Sequence, residues 1–397
     1  MSTFIPSARS RTRMSGFRRS RLKLGGLAAF VLLAACAEES PLFEVPSQLA
    51  VPPSARFELA VDSGRAAARR RVRAGNLPGD SIAVARNAEQ VWAEAFGWAD
   101  LSQEVLATPR TLYPVGSISK SLTATAAGLL YERGRLDLNV PIQTYLPEFP
   151  EKQWPITTGQ LMGHIAGVVR SSGMAEILRQ AHCDNARAAI DAVVEDTLIF
   201  EPGTDWSYSN FGWRLVGAVV ESAAGEPYLE FMDREVFTRA GMEQTVPDLG
   251  DEGEEEVVKY DRAAFGILRR GQEIDMSCSM APGGFLSTPT ELVRFGQAMV
   301  NGELLDSATV DLFWTPQRLK SGAPTTYGYG WGIQNVALGD DEQATTRMIG
   351  HGGSVLGGQA SLMIFPDEDM VVAVMTNASA DVSAFAREIG GFFRDPR

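Results

Sequence analysis

The sequence predicts a mixed α/β (α+β) fold: a mainly antiparallel sheet, built from both ends of the chain and flanked by helices, with an inserted helical subdomain. Two short β-forming runs, residues 81–86 and 91–97, lie near one end, and two more, 360–365 and 370–376, lie near the other. Between them, residues from about 141 to 240 have mostly helical periodicity. Strands linked as hairpins at both ends are most simply combined into one sheet.

The remaining elements fit this arrangement. A helical pattern rich in Ala and Arg over residues 57–74 precedes the first strand pair, and a last helix is expected over 381–393. The first pair is joined by a turn at 87–90, and the second by Pro366-Asp367-Glu368-Asp369. Within the insert, helical patterns cover residues 158–162, 175–181, 186–197 and 211–223. We expect the insert to form a second lobe, with a substrate cleft between the lobes.

The first 35 residues have the composition of a secretory signal peptide. They contain seven basic residues and no acidic one, and end in an almost wholly apolar run that is too short to span a bilayer comfortably. The run ends in Leu33-Ala34-Ala35-Cys36, which resembles the lipobox of bacterial lipoproteins. That resemblance implies that Cys36 is lipidated and holds the protein on the periplasmic face of a bacterial membrane, the outer membrane being favoured. A plain signal peptide and an uncleaved anchor remain alternatives, and both export the domain.

The segment after the signal peptide is predicted to be a tether. Residues 36–56 contain four prolines and few periodic apolar positions, so we expect an extended connection to a domain spanning residues 57–397.

Charge and composition exclude several classes of function. The net charge is −13, and removal of residues 1–35 leaves 29 basic against 49 acidic side chains, a net charge of −20. Such an acidic protein is a poor partner for nucleic acid. Three histidines without a paired histidine motif argue against a zinc hydrolase, and there is no glycine-rich phosphate loop. We therefore expect no metal and no cofactor, and the sequence does not indicate an oligomeric state.

Two smaller features remain open at this point. Cys183 and Cys278 can pair only with each other in the exported domain, but the sequence does not show that they meet. Six acidic residues between 248 and 256 are predicted to form a solvated loop, as such charge runs usually do. A cation site is the alternative, although the residues do not have the spacing of a ligand pattern.

The first candidate catalytic pair is Ser117 and Lys120. Apolar residues recur at helical spacing from residue 118 to 130, which predicts a helix that opens near Ser117. Residues three apart share one face of a helix, so the two side chains can meet. A desolvated lysine with a lowered pKa can take the proton of a serine hydroxyl. The spacing alone is weak, because Ser20 and Lys23 share it, and a core helix with a solvated lysine remains an alternative.

The second candidate is Tyr208-Ser209-Asn210, which lies at the start of a predicted helix. A phenol beside an amide can relay a proton and hold a carbonyl oxygen. A loop tyrosine with an N-capping asparagine explains the same residues equally well.

The third candidate, His351-Gly352-Gly353-Ser354, stands just before the C-terminal strands. Glycines allow close approach of a ligand to the main chain, and the N–H groups of an edge strand can stabilise an oxyanion. A glycine turn with a structural histidine is the alternative. We assign the two other histidines, His164 and His182, to structure.

Taken together, the three motifs resemble the serine β-lactamase and penicillin-binding superfamily. The order SxxK, YxN and HxG is similar to its pattern, most closely in the class C β-lactamase-like branch and in serine β-lactamase-like proteins of mitochondria and bacteria. The resemblance covers about residues 57–393. Four further sequence segments also resemble this family: Leu161-Met162-Gly163-His164-Ile165-Ala166-Gly167, Phe200-Glu201-Pro202-Gly203, Gly283-Gly284-Phe285-Leu286-Ser287-Thr288 and Tyr329-Gly330-Trp331-Gly332.

This resemblance implies a role for each motif position. Ser117 would be acylated, and Lys120 with Tyr208 would transfer its proton. Asn210 would orient the substrate. The N–H groups of Ser117 and Ser354 would form the oxyanion hole. In the third motif, His351 and Gly353 would contribute to substrate binding.

One departure from the family pattern bears on the substrate. β-Lactamases of this branch usually carry Lys-Thr-Gly where this chain has His351-Gly352-Gly353, so the site offers less to a drug carboxylate. We therefore expect an exported serine hydrolase that acts through an acyl-enzyme on an amide, including peptide or D-amino-acid peptide, or on an ester. A weak β-lactamase, or a non-hydrolytic sensor or binding protein for β-lactams or peptidoglycan, is the alternative.

Overall fold

The computed structural model describes residues 45–170, 182–251, 253–338 and 345–394. The strands are β1 (Ser47–Val51), β2 (Gly79–Arg86), β3 (Glu89–Asp100), β4 (Val105–Leu106), β5 (Tyr113–Pro114), β6 (Val246–Pro247), β7 (Tyr260–Arg262), β8 (Leu268–Arg270), β9 (Phe285–Ser287), β10 (Gly332–Ala337), β11 (Thr345–Val355), β12 (Gly358–Phe365) and β13 (Met370–Thr376). The α-helices are α1 (Glu58–Gly75), α2 (Ser119–Glu132), α3 (Thr158–Met162), α4 (Asn210–Ala224), α5 (Tyr228–Met232), α6 (Thr238–Ala240), α7 (Met280–Gly283), α8 (Pro289–Val300), α9 (Ser307–Phe313) and α10 (Val382–Phe392).

The main sheet joins the two ends of the domain. Its strand order is β1-β3-β2-β13-β12-β11-β10, with β4 added to β3, and every pairing is antiparallel. The central pairing joins β2 to β13, so strands from opposite ends of the sequence lie side by side. In the hairpin of β2 and β3, Asn87 and Ala88 both have positive φ, of 50° and 63°. Two left-handed residues make the tight turn that matches the twist of a hairpin.

Both faces of the sheet are covered by helices. Along β13, residues 370, 372 and 374 pack in one apolar cluster with α1 and α10, whereas 371, 373 and 375 pack in another that includes α2, α4 and α8. Successive strand residues point to opposite faces, so a strand that is apolar throughout is buried on both sides. The second cluster places α2 on the same side of the sheet as α4 and α8.

The region from 141 to 240 contains helices α3 to α6, together with 3₁₀ helices Ile142–Thr144 and Ala188–Val193 and the π-helix Asp233–Phe237. Its longest described helix, α4, is buried along most of its length and packs in the same cluster as α2. A disulfide joins Cys183 of this region to Cys278, which lies just before α7. The pairing that the sequence left open is therefore made.

The predicted fold class is confirmed, and its strand pairs, flanking helices and both turns are found close to their expected positions. Three details differ. Part of the expected tether, Ser47–Val51, is the edge strand β1, because its main chain pairs with β3 despite the neighbouring prolines. Only Ala188–Val193 of the helix expected over 186–197 is helical, as a 3₁₀ helix. The helix expected over 175–181 lies outside the described residues.

The acidic segment is less solvated than expected. Asp248 is only 3% exposed, and its carboxylate lies 3.6 Å from the ammonium group of Lys259, which also pairs with Glu273 at 2.6 Å. Burial raises the pKa of Asp248, and the nearby positive charge of Lys259 partly offsets this shift. The described glutamates 254 and 255 are exposed, so the segment is solvated only in part.

Within the described ranges, no helix is long and apolar enough to cross a membrane. The predicted signal peptide and Cys36 lie outside these ranges, as do residues 36–44 of the predicted tether.

Candidate active site

Ser117 lies on a short 3₁₀ helix, Gly116–Ile118, that leads directly into α2. The residue before it, Gly116, has φ +51°, and a Cβ built there would lie 2.6 Å from the main-chain nitrogen of Ser354 on β11. Only glycine fits this close approach of two backbones. On β11, a Cβ at Gly353 would lie 1.8 Å from the carbonyl oxygen of Val115. The two glycines thus bring the main-chain nitrogen of Ser354 next to the residue that precedes Ser117.

Lys120 is fully buried one turn further along, and its amine makes three contacts. Nζ lies 3.1 Å from Ser117 Oγ, 2.8 Å from Asn210 Oδ1 and 2.7 Å from the carbonyl oxygen of Pro282. Burial lowers the pKa of Lys120 well below its ordinary value of 10.5. The alternative of a solvated lysine on a core helix is therefore wrong.

The three contacts of Lys120 assign its protons. A neutral amine has two N–H groups and one lone pair, and the carbonyl oxygens of Asn210 and Pro282 can only accept. Both N–H groups are taken by these two oxygens. The lone pair is left for the hydroxyl of Ser117. In its neutral form, Lys120 is arranged as a proton acceptor for Ser117.

Tyr208 approaches Ser117 from the other side, with its hydroxyl donating to Ser117 Oγ at 2.8 Å. The amine of Lys120 lies 4.8 Å from the centre of the tyrosine ring. Burial raises the pKa of Tyr208, partly offset by the hydrogen bond to Ser117, so the phenol keeps its proton and remains a donor. The serine, lysine and tyrosine predicted from the sequence therefore lie within hydrogen-bond distance around a single oxygen atom.

Asn210 begins α4 but does not cap it. Ser209 is the capping residue, because its hydroxyl oxygen accepts the N–H of Gly212 at 2.9 Å. The side chain of Asn210 does not cap the helix, and its Oδ1 accepts a hydrogen bond from Nζ of Lys120 instead. The alternative of an N-capping asparagine is therefore wrong.

His351 and its neighbours lie within β11 rather than in a turn before the strands. The Nδ1 atom of His351 lies 2.6 Å from the carbonyl oxygen of Gly352, which can only accept, so Nδ1 carries the proton. Nε2 therefore accepts the hydroxyl of Tyr327 at 2.8 Å. Desolvation lowers the pKa of His351 to about 3, so the ring is neutral at ordinary pH.

Two pockets lie beside the catalytic groups, one lined by Ser117 and the other by Tyr208. The first is lined by Ser117, Asn210 and Ser354 and by apolar side chains that include Ile274 and Met276. The second has a wall formed by Trp206, Tyr208, Tyr327, His351 and Arg387. Ser117 and Tyr208 thus lie where a substrate can extend to both sides.

The structure also shows groups that the sequence did not single out. The carbonyl of Pro282, from a segment 162 residues after Lys120, fixes the lysine amine. Tyr327 fixes His351. Tyr327 lies two residues before one of the sequence segments that carry the family resemblance, and Pro282 lies directly before another. These segments therefore indicate which part of the chain is near the site, but not the roles of Tyr327 and Pro282.

Among the described residues, no group of three or more His, Cys, Asp or Glu side chains is arranged to hold a metal ion. The chemistry of the site is described below through side chains and main-chain N–H groups alone.

An antiparallel sheet built from both ends of the chain, with helices inserted between them and a serine at the start of a buried helix, is the architecture of β-lactamase-fold serine hydrolases. The chain belongs to the β-lactamase family, whose family model, described as Beta-lactamase, matches residues 65–389.

Relatives and solved structures agree with this assignment. The chain is 28% identical to the human protein "Serine beta-lactamase-like protein LACTB, mitochondrial", over 83% of this chain and 77% of the relative. Its fold is similar to the octameric penicillin-binding protein homologue from Pyrococcus abyssi, with TM-score 0.72 and 22% identity over 84% of this chain and 77% of the other. It is also similar to D-amino acid amidase from Ochrobactrum anthropi, with TM-score 0.70 and 22% identity over 84% and 96% of the two chains.

Proposed function

We propose that this protein hydrolyses amide or ester bonds through an acyl-enzyme on Ser117, with Lys120 as the base and Tyr208 as the proton relay. The observation that carries the proposal is the convergence of the lysine amine and the tyrosine hydroxyl on Ser117 Oγ, at 3.1 and 2.8 Å. A serine hydroxyl becomes a useful nucleophile only when a neighbouring base takes its proton.

The first step is proton transfer from Ser117 to the neutral amine of Lys120 as Oγ attacks the substrate carbonyl. Burial lowers the pKa of Lys120 and so favours the neutral amine, which supports its role as base. Tyr208, still protonated, then donates its proton to the leaving nitrogen or oxygen and recovers one from Lys120. Water subsequently attacks the acyl-enzyme by the reverse sequence of proton transfers, which releases the acid and restores Ser117.

The N–H groups of Ser117 and Ser354 serve as the oxyanion hole in this proposal. Close packing of β11 against Gly116 supports it, since Ser354 N lies near the main chain that carries Ser117. Main-chain donors that are held rigidly stabilise the developing negative charge without reorganisation.

The third motif favours peptide-like amides or esters over β-lactam drugs as substrates. His351 is neutral, and Gly352 has no side chain, so neither supplies the positive charge and hydroxyl that Lys-Thr-Gly offers to a drug carboxylate. The similarity to an enzyme named as a D-amino acid amidase is compatible with this class.

The experiment is a substrate panel on the soluble domain: p-nitrophenyl esters, D-alanyl peptides, L-aminoacyl anilides and nitrocefin, each compared with a Ser117→Ala control. We expect turnover of an ester or amide that the control lacks. Turnover equal in the control would overturn the proposal. Stoichiometric labelling by a penicillin without turnover of any compound would favour the second candidate, a β-lactam or peptidoglycan sensor.

We further propose that the protein is exported and held to a bacterial membrane by a lipid on Cys36. The basic and apolar composition of residues 1–35 and the four residues ending at Cys36 support this localisation. A Cys36→Ser variant is expected to move from the membrane fraction to the soluble fraction. Unchanged fractionation would contradict the lipid anchor.

A further inference from the structure

His164, which the sequence assigned to structure, holds the chain on both sides of Tyr208. Its main-chain carbonyl accepts the N–H of Ser207 at 2.9 Å, and its ring Nδ1 accepts the N–H of Ser209 at 3.1 Å. Between these two bonds, the rings of His164 and Tyr208 lie 4.2 Å apart, centre to centre, with a tilt of 34°. One residue thus contacts the chain before Tyr208, the chain after it and the ring itself.

These contacts require a neutral imidazole. The N–H of Ser209 can only donate, so Nδ1 of His164 has no proton and Nε2 carries it. His164 is 2% exposed, and burial lowers its pKa well below the ordinary value, with smaller contributions from nearby positive charge. The lowered pKa favours the neutral ring that accepts from Ser209.

The position of His164 carries two local penalties. Its φ is +61°, a left-handed conformation that costs about 1–2 kcal/mol for a residue with a side chain. Its buried Nε2 has no hydrogen-bond partner among the described residues, which costs roughly 1–3 kcal/mol. An asparagine would suit the backbone better, and a leucine would bury no polar atom. Strained residues that the surrounding structure nevertheless holds in place are concentrated at functional sites.

We propose that His164 is a positioning residue for the acyl-transfer reaction: it keeps the Tyr208 hydroxyl at hydrogen-bond distance from Ser117 without touching the reacting atoms. This inference rests on the proposed function. Of the side chains that could stand here, histidine combines a flat ring to pack on Tyr208 with an uncharged acceptor for Ser209. Phenylalanine has the ring without the acceptor, and asparagine has the acceptor without the ring.

The test is a double-mutant cycle with His164→Asn, His164→Leu and Tyr208→Phe. The asparagine variant keeps an acceptor and tolerates the left-handed backbone, whereas leucine does neither. With p-nitrophenyl acetate, we expect His164→Leu to lower kcat about 30-fold with little change in KM, and His164→Asn to lower it only about 5-fold. Thermal unfolding of each variant reports whether the fold is retained.

The decisive comparison is the rate of labelling by a fluorophosphonate probe, measured for each His164 variant both with Tyr208 present and in the Tyr208→Phe background. Without the hydroxyl there is nothing left to position, so a change at His164 should alter this rate by less than about 3-fold. An equal loss in both backgrounds, or a folded leucine variant with unchanged kcat, would overturn the inference. If the leucine variant does not fold, the asparagine variant provides the same comparison. A wild-type protein that neither labels nor turns over ester would instead overturn the proposed function, and this inference with it.

Discussion

The amine of Lys120 lies 3.1 Å from the hydroxyl oxygen of Ser117, and Lys120 itself is shielded completely from solvent. Because burial lowers its pKa well below 10.5, this amine loses its proton at a lower pH than an ordinary lysine does. We predict that kcat/KM falls only as the pH drops through this lowered pKa and reaches its plateau far below 10.5. A profile that still rises close to 10.5 would show an ordinary, solvated lysine. A Lys120→Arg variant, which stays protonated, should lose roughly 10²- to 10⁴-fold in turnover.

The lowered pKa of Lys120 also predicts that the free energy of unfolding depends on pH. Between the lowered pKa of folded Lys120 and 10.5, the unfolded chain binds a proton at this lysine and the folded chain does not. The free energy of unfolding therefore rises with pH in that window, by at most about 1.4 kcal/mol per pH unit. Denaturant titrations of the wild type and of a Lys120→Met variant isolate this contribution. The wild type should gain stability relative to the variant as pH rises, and a constant difference would contradict the lowered pKa.

The disulfide between Cys183 and Cys278 closes a loop with a sequence separation of 95 residues. Cross-linking residues this far apart restricts the unfolded chain, so we predict that reduction lowers the free energy of unfolding by about 2–5 kcal/mol. Cys278 also lies just before the segment whose Pro282 carbonyl holds Lys120, so turnover should fall as well. A Cys183→Ser/Cys278→Ser variant is the matched control, since added reductant should leave its stability unchanged. Equal sensitivity of both proteins to reductant would rule out the disulfide as the cause.

Two adjacent glycines on β11 provide a matched pair of substitutions. A Cβ at Gly353 would lie 1.8 Å from the carbonyl oxygen of Val115, whereas the nearest atom to a Cβ at Gly352 is Ser383 Oγ at 3.6 Å. We predict that Gly353→Ala lowers stability by about 1–3 kcal/mol or more and abolishes ester turnover, because β11 must move away from Ser117. Gly352→Ala should change stability by less than about 0.5 kcal/mol. Equal stability and activity of the two variants would show that the close approach of Gly353 to Val115 is needed neither for the fold nor for turnover.

The local part of the site could be predicted because helix geometry fixes it. Ser117 and Lys120 are three residues apart on one turn, and their meeting needs no knowledge of the rest of the chain. The strand pairs at both ends could also be predicted, because each strand is a short, largely apolar run and the two runs of a pair are separated by turn residues. The functional assignment depended further on the resemblance of three motifs, since each motif alone had a structural alternative.

The remaining features depend on contacts between distant segments. Pro282 contributes only a carbonyl oxygen, a group that every residue has, so the amino-acid sequence does not reveal its contact with Lys120. Strand β1 looked like a tether because its pairing with β3 satisfies the main chain without needing an apolar pattern. The sequence predicts only a structural role for His164, because its contacts with Ser207, Tyr208 and Ser209 form only in the folded chain.

The central claim is that Ser117 is the nucleophile, and intact-mass analysis with peptide mapping after fluorophosphonate treatment tests it most directly. The account predicts one adduct per chain, located on Ser117 and absent from a folded Ser117→Ala variant. A folded wild type without an adduct, or an adduct that persists in the Ser117→Ala variant, would contradict it.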